Sequence, residues 1–297
     1  MFRLSPTKLK EFQYTILDWY ANNQRDLPWR NTRDPYNILV SEMMLQQTQV
    51  NRVIPKFEVW LRRFPDIKAL ADAPFSEVLA FWSGLGYNRR ALYLKKTAQI
   101  IVEKYNGKFP EDEKLLRSLP GIGEYTARAI LCFAFNKQIA VVDTNIRKVI
   151  LTQFTIEVRS KHQELRKKIH DSCFLIPDSG EHKLLTKKEI EETAQSLLPP
   201  RRAYEWNQAL MDYSREMLRE HKIPIPKQSK FHGSQRYYRG QILRVLLQEK
   251  KVSMKDLGAL IKKDYTKNDD TWLRKLVKDL AEEGFIIYMK GYVSLVS

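Results

Sequence analysis

The sequence is poor in cysteine. Its 297 residues hold two, Cys132 and Cys173, which excludes a disulfide framework and a four-cysteine metal site supplied by this chain alone. It lacks an apolar run of the roughly 18 residues that a membrane-spanning helix needs, and Met1 to Lys8 has none of the apolar core of a secretory signal. Acidic residues are also short, 35 Asp+Glu against 51 Lys+Arg, for a formal charge of +16 and a pI near 9.6. An imbalance of that size favours a polyanionic partner, nucleic acid first and an acidic membrane surface second. At 43% hydrophobic and 11% aromatic content the chain is globular rather than disordered. Its length suits one large domain or two. The expectation is a cytoplasmic, soluble monomer that faces DNA or RNA, with no membrane partner.

What is present reads as mainly α. Leu9 to Tyr20, Ile38 to Ile54, Phe75 to Trp82, Arg90 to Tyr105, Glu124 to Phe135, Thr144 to Phe154 and Trp206 to Arg219 carry apolar residues at three- and four-residue spacing. Proline and glycine fall between them, and Ile139 to Val142 is a short extended stretch. The polar segment Val158 to Leu198, with Pro177-Asp178-Ser179-Gly180, reads as helices around an insertion. Alternate prolines at Ile223-Pro224-Ile225-Pro226 stop the helical pattern and mark a linker.

Beyond it, Gln241 to Gln248, a helix capped by Ser253 through Ile261, and a third capped by Asp269 or Asp270 up to Gly284 precede a hairpin. Its arms are Phe285 to Tyr288 and Tyr292 to Val296, turning at Lys290-Gly291. Three helices and a hairpin resemble a winged helix. Lys227 to Ser297 holds 15 basic and 8 acidic residues, so the tail shares in the positive charge. The expected division is residues 1–226, a linker at 227–236, and a winged-helix-like domain at 237–297.

Three motifs bear chemistry. Leu119-Pro120-Gly121-Ile122-Gly123 precedes Glu124-Tyr125-Thr126-Ala127. Two glycines about one apolar residue let a tight loop present backbone N–H groups at a helix start, where a phosphate oxygen binds without sequence reading. An ordinary Pro-Gly turn has the same letters. Glu42, in Ser41-Glu42-Met43-Met44-Leu45-Gln46-Gln47-Thr48-Gln49-Val50, projects among Ile38, Leu39, Leu45 and Val53. A carboxylate so desolvated holds its proton more tightly and can donate it near neutral pH, or else pairs with a buried cation. Asp143, ending Val141-Val142 and preceding Thr144-Asn145, suits a helix N-cap. Such a capping carboxylate, kept ionised by backbone donors, also suits stabilising a nearby cation.

These motifs, in this order, resemble the helix-hairpin-helix (HhH-GPD) DNA glycosylase superfamily and, within it, the MutY-type adenine glycosylases. The match runs from about Arg25 to Ser214. It includes Arg25-Asp26-Leu27-Pro28-Trp29-Arg30, Leu45 to Val50, Gly84-Leu85-Gly86-Tyr87 and Trp206-Asn207-Gln208-Ala209-Leu210-Met211-Asp212. The resemblance implies two helical subdomains around a cleft. It implies that Glu42 protonates a flipped adenine at N7 and that Asp143 stabilises the oxocarbenium-like sugar, with Tyr125 and Asn145 in support. Trp29, Arg30, Leu45 and Gln208 match a base pocket. Gln46, Gln47 and Tyr87 match duplex-contacting positions, Gln47 and Tyr87 as wedges. Gly121, Ile122 and Gly123 match the phosphate-binding hairpin, often with a monovalent cation. Endonuclease III-type relatives carry lysine at position 125, which attacks C1′ and leads to strand cleavage. Tyrosine here implies a monofunctional enzyme.

Two departures stand out. Most relatives follow position 212 with a C-x6-C-x2-C-x5-C motif holding [4Fe–4S]; Ser214 to Pro226 has no cysteine, so no cluster is expected. His170 and Cys173 alone make no metal site. Many MutY-type enzymes also carry a Nudix-like domain that reads 8-oxoguanine, whereas the tail here resembles the shorter tails of some related bacterial sequences. Arg274, Lys275 and Lys278 in that tail form a candidate phosphate-contacting face, or a solvated one. The expected substrate is duplex DNA with adenine opposite 8-oxoguanine or guanine. A G:T or G:U mismatch glycosylase and a non-catalytic DNA-binding protein are the competing readings.

Overall fold

A computed structural model describes residues 5–154, 185–220 and 230–296. Pro177 to Gly180, His170, Cys173, Ile223 to Pro226 and residues 227–229 of the expected linker lie outside the described residues. The helices run α1 Pro6–Asn23, α2 Pro35–Leu45, α3 Val50–Arg63, α4 Ile67–Asp72, α5 Phe75–Trp82, α6 Arg89–Tyr105 and α7 Glu113–Arg117. They continue as α8 Glu124–Phe133, α9 Thr144–Phe154, α10 Lys187–Ser196, α11 Ala203–Glu216 and α12 Gln235–Glu249. Then come β1 Lys251–Ser253, α13 Met254–Ile261, α14 Asp270–Glu282, β2 Ile286–Met289 and β3 Tyr292–Leu295. Among the described residues no helix is long and apolar enough to cross a membrane. Contacts divide the chain into two compact units, one from the described residues of 1–39, 111–118 and 122–225, the other from those of 40–110, 119–121 and 226–297.

The first unit is built on α1, α9, α10 and α11. Phe12, Ile16 and Tyr20 recur at four-residue steps on α1 and bury against Ile146, Val149, Ile150, Ile190, Trp206 and Leu210. Phe12 meets Trp206 edge-on at 5.7 Å, and Trp19 meets Tyr213 at 5.4 Å. Helix α10 is the described part of the polar segment. Thr186 starts it with a capping box to Glu189, and Ile190 and Ala194 face the core.

Asp212 on α11 is fully buried and ties the segment before α2 to this core. Arg25 Nε and Arg30 Nη2 donate to its Oδ1 at 2.6 and 2.9 Å, and Arg30 Nη1 to its Oδ2 at 2.6 Å. Burial alone raises a carboxyl pKa; the bonds from Arg30 and then Arg25 reverse this and hold Asp212 below its ordinary value.

The second unit departs from the expected single helix over Ile38 to Ile54. α2 ends at Leu45 and α3 begins at Val50, with Gln47 between them at φ +56°. The cause is distant. Arg90 Nη1, from the start of α6, donates to the carbonyls of Met43 (2.7 Å), Met44 (2.9 Å) and Gln46 (2.6 Å). The last carbonyls of α2 are thus satisfied from outside the helix, and the chain is free to turn. α3 then continues through Pro55 to Arg63, further than the sequence suggests. Proline inside a helix costs about 3 kcal/mol; burying Phe57 and Trp60 at about 1.5–3 kcal/mol each outweighs it. Trp60 packs edge-on against Trp82 at 5.6 Å and lies 4.8 Å from Phe64.

The tail folds as helix, strand, two helices and hairpin, with strand order β1-β3-β2, all antiparallel. That is winged-helix topology, as expected, plus a strand the sequence reading lacked: β1 spans three residues and buries only Val252, opposite Val293. Lys290 and Gly291 form the two-residue turn at φ +51° and +80°, the left-handed pair that matches strand twist. Asp269 precedes α14 without capping it; its carboxylate closes the preceding turn on Thr266 N at 2.9 Å and pairs with Lys262 at 2.7 Å. Glu283 joins the tail to α6 by accepting from Arg89 (2.7 Å) and Arg239 (2.6 Å), beside the Phe75–Phe285 ring contact at 5.8 Å.

Breaking the Asp212 cluster from one side leaves the largely buried Arg30 and the half-buried Arg25 without their carboxylate. Asp212→Asn is expected to cost about 3–5 kcal/mol in denaturant unfolding at pH 7. A depressed folded-state pKa stabilises above the unfolded carboxyl value of about 3.9 and is lost as pH falls through the folded value. The wild-type advantage over Asp212→Asn is therefore expected to shrink below about pH 4. An unchanged difference at pH 3 would contradict it.

Candidate functional site

Asp143 is placed by a buried amide on another helix. Asn207 on α11 accepts from Val141 N at 2.8 Å and donates to the carbonyls of Ile139 (3.0 Å) and Ala203 (2.7 Å). This hangs the extended Ile139–Val142 stretch on α11 and delivers residue 143 to the start of α9. There the capping geometry is complete: Ile146 N donates to Asp143 Oδ1 at 2.7 Å, and Asn145 Nδ2 to Oδ2 at 2.6 Å. Both carboxylate oxygens are thereby fixed. The expected effect of these donors is present, but burial is the larger influence, and the Asp143 carboxyl is raised above its ordinary value despite them. Among the described residues, the hydrogen-bond partners that hold it are dipoles rather than cations.

Tyr125 sits half-buried in the first turn of α8, and Gly123 is the N-cap of that helix. Around it Leu119 and Ile122 are buried anchors, at 3% and 4% exposure, while Gly121 and Gly123 stay exposed. The two glycines differ. Gly121 has φ +76°, and a Cβ there would lie 2.8 Å from Tyr93 Cβ. Gly123 has ordinary extended φ, and a Cβ would meet nothing within 4 Å. The fold therefore requires glycine at 121 and gives no internal reason for it at 123.

Trp29 is buried on a short turn at Pro28–Arg30. Arg30, expected in a base pocket, has both terminal nitrogens on Asp212. Gln208 is buried on α11 at 6% exposure, between Asn207 and Ala209. Trp29, Arg30, Tyr125, Asp143, Asn145 and Gln208 thus belong to the first unit.

Glu42, Leu45, Gln46, Gln47 and Tyr87 belong to the second. Glu42 is buried at 6%, as are Ile38 and Leu39 one turn before it on α2, though every residue from Ile38 to Met44 is buried rather than one face, and Val53 lies beyond the break, on α3. Leu45 and Gln46 are half-buried, and Gln46 Nε2 lies 3.5 Å from Met43 Sδ. Gln47 and Tyr87 are exposed and both left-handed, at φ +56° and +48°. In the tail, Arg274, Lys275 and Lys278 point outward from α14 while Leu273, Leu276, Val277 and Leu280 fill its core.

Three residues that organise these positions escaped the sequence reading: Arg90, Asn207 and Asp212. A pattern signal existed for the last two, since Asn207, Gln208 and Asp212 stand among apolar neighbours on α11. Cys132 is buried, within 3.4 Å of the Asn207 amide, and burial raises its thiol to about 12. It is a packing residue, and the chain's two cysteines do not fit a four-thiolate cluster.

Comparison with known proteins identifies the family. The HhH-GPD superfamily base excision DNA repair protein profile matches residues 40–173. The adenine DNA glycosylase of Buchnera aphidicola subsp. Baizongia pistaciae is 40% identical over 202 residues, covering 68% of this chain and 51% of the relative. The thymine/uracil-DNA glycosylase of Methanothermobacter thermautotrophicus is 34% identical over 211 residues, covering 70% of this chain and 84% of the relative. A solved thermostable thymine-DNA glycosylase superposes with a TM-score of 0.57 at 30% identity, covering 71% of this chain and 87% of that one. The chain belongs to the HhH-GPD superfamily of base excision DNA repair proteins. It spans about half the length of the first curated adenine glycosylases it matches.

The two hairpin glycines give a contrast test. Gly121→Ala combines a left-handed backbone with a backed Cβ and is expected to lower stability by at least about 1–2 kcal/mol. Gly123→Ala is expected to change it by less than about 1 kcal/mol. Thermal melts of the two variants check this; equal losses would refute the distinction.

Proposed function

We propose that this protein is a monofunctional DNA glycosylase that removes adenine mispaired with 8-oxoguanine or guanine from duplex DNA. The observation that carries it is the Asp143 carboxylate, both oxygens held by neutral dipoles, half-buried, and with no neutralising cation among those partners. A negative charge so prepared favours a positive charge developing on a nearby sugar. Glu42, buried on α2, supplies the proton that turns adenine into a leaving group. The N-glycosidic bond breaks with its electron pair going to the protonated base, and water adds to C1′. Tyr125 offers no amine, so the product is an abasic site without strand cleavage. Similarity to curated adenine glycosylases at 40–47% identity supports the choice of base.

Gly123 fits the same reading. A glycine that the fold does not need leaves room for a phosphate to approach the amides at the start of α8. Gly123→Ala is therefore expected to weaken duplex binding without loss of stability. We assign Gln47 and Tyr87 to the duplex, and Arg274, Lys275 and Lys278 to backbone phosphates. No iron–sulfur cluster takes part.

A second reading, thymine or uracil excision from G:T and G:U pairs, is favoured by the similarity to the thymine/uracil-DNA glycosylase that this chain covers at 84%. Duplexes carrying A:8-oxoguanine, A:G, T:G and U:G, treated with alkali after incubation, separate the two; cutting at the pyrimidine alone would remove the adenine assignment. Asp143→Asn is expected to reduce single-turnover release by on the order of 100-fold or more. A raised carboxyl pKa favours the fold at low pH and loses that contribution as pH rises, so the ionised aspartate costs stability near neutrality. The same variant should therefore melt no lower than wild type at pH 7 and keep its DNA affinity.

A further inference from the structure

Two loops of the second unit each hold one non-glycine residue in the left-handed region: Gln47 between α2 and α3, and Tyr87 before α6. Side chains other than glycine and asparagine rarely adopt that backbone unaided. Here contacts from elsewhere supply the reason, and one guanidinium reaches both loops. Arg90 Nη1 takes the carbonyls of Met43, Met44 and Gln46 on one side. Its Nη2 donates to Thr48 Oγ1 (3.1 Å), Leu85 O (3.2 Å) and Gly86 O (3.0 Å) on the other. The side chain is 7% exposed, with its Cζ 5.1 Å from the Trp82 ring and 5.5 Å from that of Tyr87. Trp82 Nε1 shares the Gly86 carbonyl at 2.9 Å, and Arg52 donates to Gly84 O.

We propose that Arg90 is a positioning residue for duplex probing: its guanidinium locks loops 46–49 and 84–88 to each other, so that Gln47 and Tyr87 meet DNA as one rigid wedge. This rests on the reading above that these two residues contact the duplex. A planar fork with five donors can serve carbonyls on two separate loops at once, whereas an ammonium group acts from a single point. Holding the wedge before DNA arrives removes the ordering cost from the step that opens the stack.

The test uses Arg90→Lys in the full chain, with Thr48→Val as a milder variant that removes one bridging partner. Three measurements are made. Amide hydrogen exchange reads loops 46–49 and 84–88 in the free protein. Fluorescence of 2-aminopurine placed beside the mispaired adenine reads unstacking. Single-turnover release reads chemistry. The expected outcome for Arg90→Lys is faster exchange confined to the two loops, loss of the fluorescence rise, and a fall in release on the order of 100-fold. Thr48→Val should shift all three in the same direction by a smaller factor, with an unchanged melting temperature. Wild-type exchange, unstacking and release in both variants would overturn the proposal. If wild-type protein releases no base but the loops still loosen in Arg90→Lys, the glycosylase reading falls and the lock stands.

Discussion

Burying a guanidinium without a carboxylate is costly, and the second unit does it with Arg90. None of its six hydrogen-bond acceptors is an anion: five are backbone carbonyls and the sixth is the Thr48 hydroxyl. Burial lowers its pKa to about 10, which still leaves it charged at neutral pH. The cost of desolvation is offset by dipoles that would otherwise be unsatisfied, since a helix end and a tight loop both leave carbonyls without partners. The exchange works in both directions. The loops need a donor, the cation needs acceptors, and the break between α2 and α3, the turn at Gly84–Tyr87 and the start of α6 become one object.

The first unit handles buried charge differently. Asp212 is paired with two arginines, so its negative charge is fully compensated within the cluster. Among the described residues, Asp143 is held by the Asn145 amide and by backbone N–H groups. These arrangements predict different sensitivities. Damage to the Asp212 cluster strikes the fold, because an uncompensated charge remains inside. Damage to Asp143 spares the fold, because asparagine can still cap α9. The carboxylate meant for stability is paired, and the one proposed for chemistry is not.

How much of this was legible depended on the range of the interaction. Glu42 on a buried helix, Asp143 as a cap, the Lys290-Gly291 turn and the apolar stripe of α14 follow from neighbours a few residues apart, and periodicity reveals them. The break in Ile38 to Ile54 does not, because its cause lies 44 residues further along in Arg90. An arginine beginning an amphipathic helix has the pattern of a surface residue. Strand β1 was hidden by its length, three residues whose partner is the last strand of the chain. The resemblance that assigned Arg30 to a pocket carried no sign of its pairing, through both terminal nitrogens, with a residue 182 positions away.

The neutral character of the Asp143 partners bears on the proposed chemistry more directly than the direction of its pKa. Had an arginine faced it, as at Asp212, the carboxylate would be firmly ionised but its field would be cancelled a few ångströms away. Dipoles orient the charge without cancelling it. The accompanying rise in pKa follows from the same arrangement: burial, which the dipoles only partly offset, makes the anion less stable in the resting protein. A positive charge appearing on a sugar would relieve that penalty at the moment the base departs. An anion left partly uncompensated at rest therefore gains most when the cation forms, which is the differential stabilisation that lowers a barrier.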